Sequence, residues 1–267
     1  MSKITVTTIA GLTSGGDANT VKIESGDAFN VVSGATTLGG DLTVDTNVLK
    51  VDASNNRVGV GTASPTSNLH VSGGAGAHVA IQSSAGTHWR IGDGVGSTNG
   101  NLVIYDYTDS AKRLEIDTHG HVTMPSQSAF LVTKNAAQSS LAVNTNHTIT
   151  FDTERFDQNG DFASNTFTAP VTGRYQLNVI CYVADAPNDL SYFTIRLVTS
   201  NREYYAIFDP GQAGLSGANA YHTLHINVLA DMDANDTAYV NAYTPNGTAG
   251  TKVDGSHTTS FSGFLAC

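Results

Sequence analysis

The chain is short of charge, of cysteine and of the residues that build helices. Charged residues make up 13% of its 267 positions, and it holds 2 Cys, 1 Trp, 3 Met and 6 Pro. Only 4 Glu and 6 Lys occur along it, too few helix-favouring side chains for a helical bundle. The two cysteines, Cys181 and Cys267, make no disulfide framework and are expected as free thiols. Lys and Arg number 13 against 23 Asp and Glu, for a net charge of −10, and only Lys112 and Arg113 are adjacent. Nucleic acid is therefore not expected as a partner, because displacing counterions from phosphates takes clustered cations. No apolar run approaches the roughly 20 residues of a membrane helix, so no membrane insertion is expected. Met1-Ser2-Lys3-Ile4-Thr5 lacks the apolar stretch of a secretory signal, and the expectation is synthesis in a cytoplasm with any delivery elsewhere by assembly or lysis.

What is present suits pleated sheets. Thr occurs 33 times and Val 23 times, branched side chains that pack on strands. Apolar residues alternate in short pieces: Ile4-x-Val6, Val21-x-Ile23, Leu42-x-Val44, Leu49-x-Val51, Val58-x-Val60 and Leu69-x-Val71. Val79-x-Ile81, Trp89-x-Ile91, Leu102-x-Ile104 and Leu114-x-Ile116 follow. Bounded by Gly, Asn, Asp and Ser, these are short strands joined by tight turns, and the fold class is all-β. Leu42-Thr43-Val44-Asp45, Leu49-Lys50-Val51-Asp52 and Leu114-Glu115-Ile116-Asp117 share one pattern. Units with two inward side chains per strand cannot bury an apolar face alone. Their irregular spacing favours stacking across three identical chains rather than along one chain.

Composition changes near Met124-Pro125. Of the 10 Phe and 10 Tyr, only Phe29, Tyr105 and Tyr107 precede residue 128. A domain boundary is expected at about residue 127. Beyond it, Tyr175, Leu177, Val179 and Cys181 alternate onto one face of a long strand.

The second half resembles the globular head of the complement-component-1q type, a relative of the tumour-necrosis-factor jelly roll. Phe130 in an opening strand, Phe151, Phe156 and Asn159 carry the likeness. The run Phe167-Thr168-Ala169-Pro170-Val171-Thr172-Gly173-Arg174-Tyr175 and the closing Phe261-Ser262-Gly263-Phe264-Leu265 complete it. The resemblance implies a jelly-roll sandwich over 128–267 and a parallel homotrimer. It also puts Cys181 and Cys267 on buried strands and calls for burial of Phe264. The stretch Asn56-Arg57-Val58-Gly59-Val60-Gly61-Thr62 with Pro65 and Leu69-His70-Val71 resembles the shafts of bacteriophage fibres and related virion appendages. Together these predict a virion-attachment segment over 1–40, a β-rich stalk over 41–127 and a head over 128–267.

Five segments carry residue types that occur in binding or catalytic sites. His119-Gly120-His121 could ligate an axial metal across three chains, as in some phage fibres, or merely decorate a strand. The strand reading is preferred, so no metal or cofactor is assigned. Asp231-Met232-Asp233-Ala234-Asn235-Asp236 lacks the Gly and Glu of a calcium loop and reads as a hairpin turn. Gly214-Leu215-Ser216-Gly217 and Gly92-Asp93-Gly94-Val95-Gly96 fail the nucleophile-elbow and dinucleotide patterns, and no catalytic residue is assigned. The loop from Phe208 to Tyr221, with Tyr204 and Tyr205 before it, offers aromatic faces beside polar groups. Asp209, Gln212, Asn219 and Tyr221 are the expected ligand residues, suited to a sugar. The functional expectation is a non-enzymatic homotrimeric virion protein, either a short fibre or a capsid-decorating protein. Its partners would be other virion proteins and a host-surface glycan or protein. A tail-fibre receptor-binding protein proper, a glycan depolymerase and a secreted lectin-like module are the alternatives.

Overall fold

The computed structural model describes residues 40–45, 48–96, 100–211, 221–255 and 259–267. The expected attachment segment lies outside them except for Gly40, as do the Ile4-x-Val6 and Val21-x-Ile23 alternations. The described residues form strands and turns and contain no helix. The chain divides between Ser72 and Gly73 into two compact units, a division that falls within the expected stalk.

The first unit holds β1 (Leu42–Val44), β2 (Leu49–Asp52), β3 (Arg57–Val60) and β4 (Leu69–Val71), adjacent in that order. The first three are antiparallel and β4 runs parallel to β3. Register puts Leu42, Val51, Val58 and Leu69 in one cross-strand row and Val44, Leu49, Val60 and Val71 in the next. Both rows share a face, because side chains two apart point the same way. Thr43, Lys50, Gly59 and His70 fall on the other. The fibre-like string has a local cause. Gly61 adopts φ +76°, and a Cβ there would lie 2.0 Å from the Ser72 carbonyl oxygen. The Arg57 guanidinium donates to the carbonyl of buried Pro65 at 2.9 Å, tying down the return to β4.

The second unit opens with a meander of β5 (Ala77–Ile81), β6 (Trp89–Asp93), β7 (Leu102–Asp106), β8 (Ala111–Ile116) and β9 (Val122–Thr123). Val79, Ile91, Ile104 and Leu114 form one row across it. On the opposite face Val103 is fully buried, and the turn at Gly96 lies against the Tyr105 ring.

The sandwich follows. Its strands are β10 (Ala129–Thr133), β11 (His147–Thr148), β12 (Thr153–Asp157), β13 (Phe162–Ala163), β14 (Thr166–Thr168), β15 (Gly173–Ala184), β16 (Phe193–Thr199), β17 (Glu203–Phe208), β18 (Tyr221–Met232), β19 (Thr237–Tyr243), β20 (Lys252–Val253) and β21 (Ser260–Leu265). One sheet runs β12-β10-β21-β15-β18, with β20 also on β15. The other runs β13-β14-β19-β16-β17, with β11 also on β19. Every pairing is antiparallel, and chain-distant strands such as β10 and β21 are neighbours. Two face-to-face sheets joined by such crossovers make a jelly roll.

Alternation sets its core. Tyr175, Leu177, Val179 and Cys181 of β15 are buried, as expected, and with Val183 they meet Phe193, Ile195 and Leu197 of β16 in one cluster. Phe130, Phe167 and Phe261 are fully buried; the Phe130 ring lies 4.7 Å from Phe167 and 5.0 Å from Phe261, centroid to centroid. The Tyr175 hydroxyl donates to the Val171 carbonyl at 2.7 Å, which satisfies a buried O–H and fixes the Pro170–Gly173 approach to the strand.

Two expectations are corrected here. Phe264 is 47% exposed, because Phe261 and Gly263 already face the core and alternation turns their neighbour outward. Cys267 is exposed and lies beyond β21, so only Cys181 is a buried thiol.

A neck of residues 124–128 joins the meander to the sandwich. The Gln158 side-chain amide donates to the carbonyls of Met124, Pro125 and Gln127, and that of Asn159 to the carbonyl of Ser126. Gln127 in turn donates to the Leu265 carbonyl at 2.8 Å. The Asp157–Gly160 turn thus grips the neck through side-chain amides.

Candidate functional site

The outer face of the β12-β10-β21-β15-β18 sheet is the most distinctive surface of the sandwich. On β15 the residues between the core set, Ile180 and Tyr182, are themselves large and apolar. Together with Leu131, Thr133, Thr223, His225 and Ser260 they line a groove of about 520 Å³. The Tyr182 and Tyr221 rings stack at 5.3 Å, 13° from parallel. Exposed Leu229, Phe264 and Phe156 extend the same face. Uncharged Gln176, Asn178, Asn227 and Ser262 fill much of what remains between them. Such a face can bury itself against another apolar surface or seat a ligand by ring stacking and neutral hydrogen bonds.

Sequence reasoning found Tyr221 here and missed the rest of the groove. The signal was Val179-Ile180-Cys181-Tyr182-Val183, an unbroken apolar run. A strand covered on one side only should alternate, so a run marks cover on both faces.

The expected ligand loop is only partly described: Gln212 and Asn219 lie outside the described residues. Asp209 is half-buried at the end of β17, beside buried Phe208, whose ring stacks on His222 at 4.3 Å. Tyr205 and Tyr221, each 53% exposed, stand on the outer faces of different sheets, while Tyr204 packs against the core. The flanking tyrosines therefore do not form one shared stacking platform. Asp233 and Asp236 close the β18–β19 hairpin through mutual bonds, as the turn reading expected.

At the β8–β9 turn, Asp117, His119 and His121 bring ligand atoms within 4.8 Å of one another. The Asp117 carboxylate already has work. One oxygen accepts the backbone N–H groups of His119 and His121 at 2.8 and 2.9 Å, and the other meets His121 Nδ1 at 2.9 Å. These bonds, first the one from the His121 ring, hold the Asp117 carboxyl below its ordinary range. The imidazoles are about three-quarters exposed. One chain could offer a borderline divalent cation the two free ring nitrogens. Asp117 and His121 continue the β8–β9 ladder one step past the Ile116–Val122 pair. That step places them on the face opposite the apolar one.

Two buried groups have the chemistry of nucleophiles without the setting. Burial pushes the Cys181 thiol up to about 12, so it stays protonated near neutral pH. Burial also lowers the Lys134 amine, which donates to the carbonyl and hydroxyl of Thr150 at 2.9 and 2.8 Å. Asp152, by a recess that includes Phe151 and Glu154, is held below its ordinary range by the backbone N–H groups of Ala136 and Asn135. All three serve the fold.

The family model described as the C1q domain matches residues 129–266. Among solved structures, the globular domain of zebrafish complement 1qA protein is 17% identical. It covers 53% of this chain and 98% of its own, with a TM-score of 0.39. Murine APRIL is 12% identical over 52% of this chain and 98% of its own, also with a TM-score of 0.39. No curated protein matches the sequence. With its C-terminal half matched from first strand to last and folded as a two-sheet jelly roll, the chain belongs to the C1q domain family.

Proposed function

We propose that this chain is a non-enzymatic, homotrimeric structural protein of a phage virion. In this reading it is a short fibre or capsid-decorating protein that holds three jelly-roll heads toward the host surface. C1q-like domains are generally non-enzymatic and commonly self-associate as trimers. The observation that carries the reading is the outer face of the β12-β10-β21-β15-β18 sheet. Its exposed Leu229, Phe264, Phe156 and Tyr221 would be costly to leave wet and need no charge partner to be covered. Three heads on one stem, and many stems on one particle, turn weak contacts with a host glycan into useful avidity. The phage setting is supported by the fibre-like string from Asn56 to Val71, which also favours the second reading, a tail-fibre receptor-binding protein proper.

Two measurements test this. Sedimentation equilibrium should give three times the 27.8 kDa chain mass, and a folded single copy would end the trimeric reading. Gold-labelled antibody against the chain should mark intact phage particles at the shell or at the tail. Absence from purified particles would end the virion reading.

A further inference from the structure

We propose that the apolar faces of the β1–β4 and β5–β9 sheets are the inner walls of three-sided prisms. Each prism is built from the same sheet of three copies of this chain. The inference rests on the trimeric reading above and assigns to it a second surface, apart from the head.

Register carries the argument. In the β1–β4 sheet all eight side chains of one face are Leu or Val: Leu42, Val44, Leu49, Val51, Val58, Val60, Leu69 and Val71. Leu42, Val44, Val60 and Leu69 remain 39%, 46%, 41% and 58% exposed. The β5–β9 sheet repeats the arrangement. Its corresponding face carries Val79, Ile91, Ile104 and Leu114 in a central row, flanked by Ile81 and Trp89 with Asp106 on one side and by Leu102, Ile116 and Val122 with Asp93 on the other. Here too Val79, Ile81, Leu102 and Val122 stand 46–58% exposed.

An open sheet with one apolar face is stable only when another layer covers that face. The sandwich shows what such cover looks like, since its inward side chains are nearly all below 10% exposed. The occupant is a second and third copy of this chain, for three reasons. The β1–β4 face is self-complementary in kind, with no charged side chain in its two rows, and on the β5–β9 face the acids Asp93 and Asp106 stand only in the flanking rows, Asp106 already paired with Arg113 at 2.8 Å. Homo-oligomers close by symmetry and need no second sequence. The β5–β9 sheet also ends five residues before the head, at a neck gripped by Gln158 and Asn159. Trimeric heads would hold three such sheets at an effective concentration on the order of millimolar, making their association an intramolecular step.

Site-directed cross-linking of the full chain tests the inference. In a Cys267→Ser background, Ile104→Cys and Val58→Cys each place one thiol on an apolar face. Ala80→Cys and Thr43→Cys place it on the opposite face of the same sheets. Mild oxidation should give covalent dimers on a non-reducing gel with the first pair and not with the second. The mass of the unoxidised protein separates the two claims. A trimer that cross-links equally from both faces, or from the polar face alone, overturns the prism and leaves the trimeric reading standing. A dimer that cross-links from the apolar faces means a two-layered sandwich and also overturns it. A monomer overturns both. As a second readout, Ile104→Asp should keep the trimer mass while residues 77–123 lose protease resistance, with Ala80→Asp unchanged. Equal resistance in the two variants would count against the wall.

Discussion

Gly263 lies between β10 and β15 with no room for a side chain. A Cβ at that position would meet Leu177 Cδ2 at 2.6 Å and Phe130 Cε1 at 2.9 Å, both inside the packed cluster. Gly263→Ala should therefore cost about 1–3 kcal/mol, the usual effect of overpacking, read as a lower denaturation midpoint of the head. Phe130→Ala removes a ring stacked on Phe162 and Phe167 and set edge-on to Phe261, and should cost about 3–5 kcal/mol in the same measurement. The thiols differ as sharply. Cys181 is buried and held protonated, while Cys267 is exposed. A thiol reagent at neutral pH should titrate one group per native chain and two after denaturation; two in the native state would contradict the burial of β15. These motif residues were legible in the sequence as a family likeness. That Gly263 serves the packing of Phe130 was not, since the two are far apart in the chain.

The recurrent Asp at strand ends belongs to the scale of elements. Asp52 accepts from the Asn55 backbone N–H and side-chain amide, and Asp117 accepts from the N–H groups of His119 and His121. Each nucleates its turn by standing in for a backbone acceptor, as Asp does in Asx-turns. This gives the Leu-x-(Val/Ile)-Asp repeat a local cause. Asp117 is held ionised below its ordinary carboxyl range, chiefly by the His121 ring. A depressed folded value means its contribution is complete above the unfolded value of about 4. It is then lost as pH falls through the folded value. The protection of the His119 and His121 amides from exchange, taken relative to the free-chain rate at the same pH, should fall on acidification below about pH 4. Asp117→Ala should show the reduced protection already at pH 7, and Asp117→Asn, which keeps an acceptor, should stay closer to the parent. Period-two alternation made these strands legible one by one. The pairing of β4 parallel to β3 was not legible, because it depends on how the Gly61–Asn68 loop folds back.

For the whole molecule the informative feature is where apolar side chains remain uncovered. Ile180 and Leu229 lie on the outer face proposed to join the heads. Ile180→Asp with Leu229→Asp should lower the sedimentation mass of the head assembly from trimer toward monomer. The β15–β16 core, which faces the other way, should stay folded by circular dichroism. Because that face is largely uncharged, the parent trimer should keep its mass between about 0.1 and 1 M salt, a range that screens exposed ion pairs. Dissociation at high salt would point to a charged interface instead.

Alternation, turn residues and scarcity of helix formers are local, and they were enough to determine an all-β chain, its strands between Leu42 and Ile116 and the inward set of β15. The turn reading of Asp231–Asp236 rests on the same kind of local pattern. Which face of each strand is covered, and by what, is a property of pairing and packing. Only the tertiary structure decided that Phe264 turns outward, that Cys267 is exposed and that Ile180 and Tyr182 line a groove. It also decided that seventeen scattered Leu, Val, Ile and Trp side chains gather onto one face of each open sheet, eight in the first and nine in the second. Period two states that neighbours point apart; it does not state which side meets water until the strands are placed beside one another.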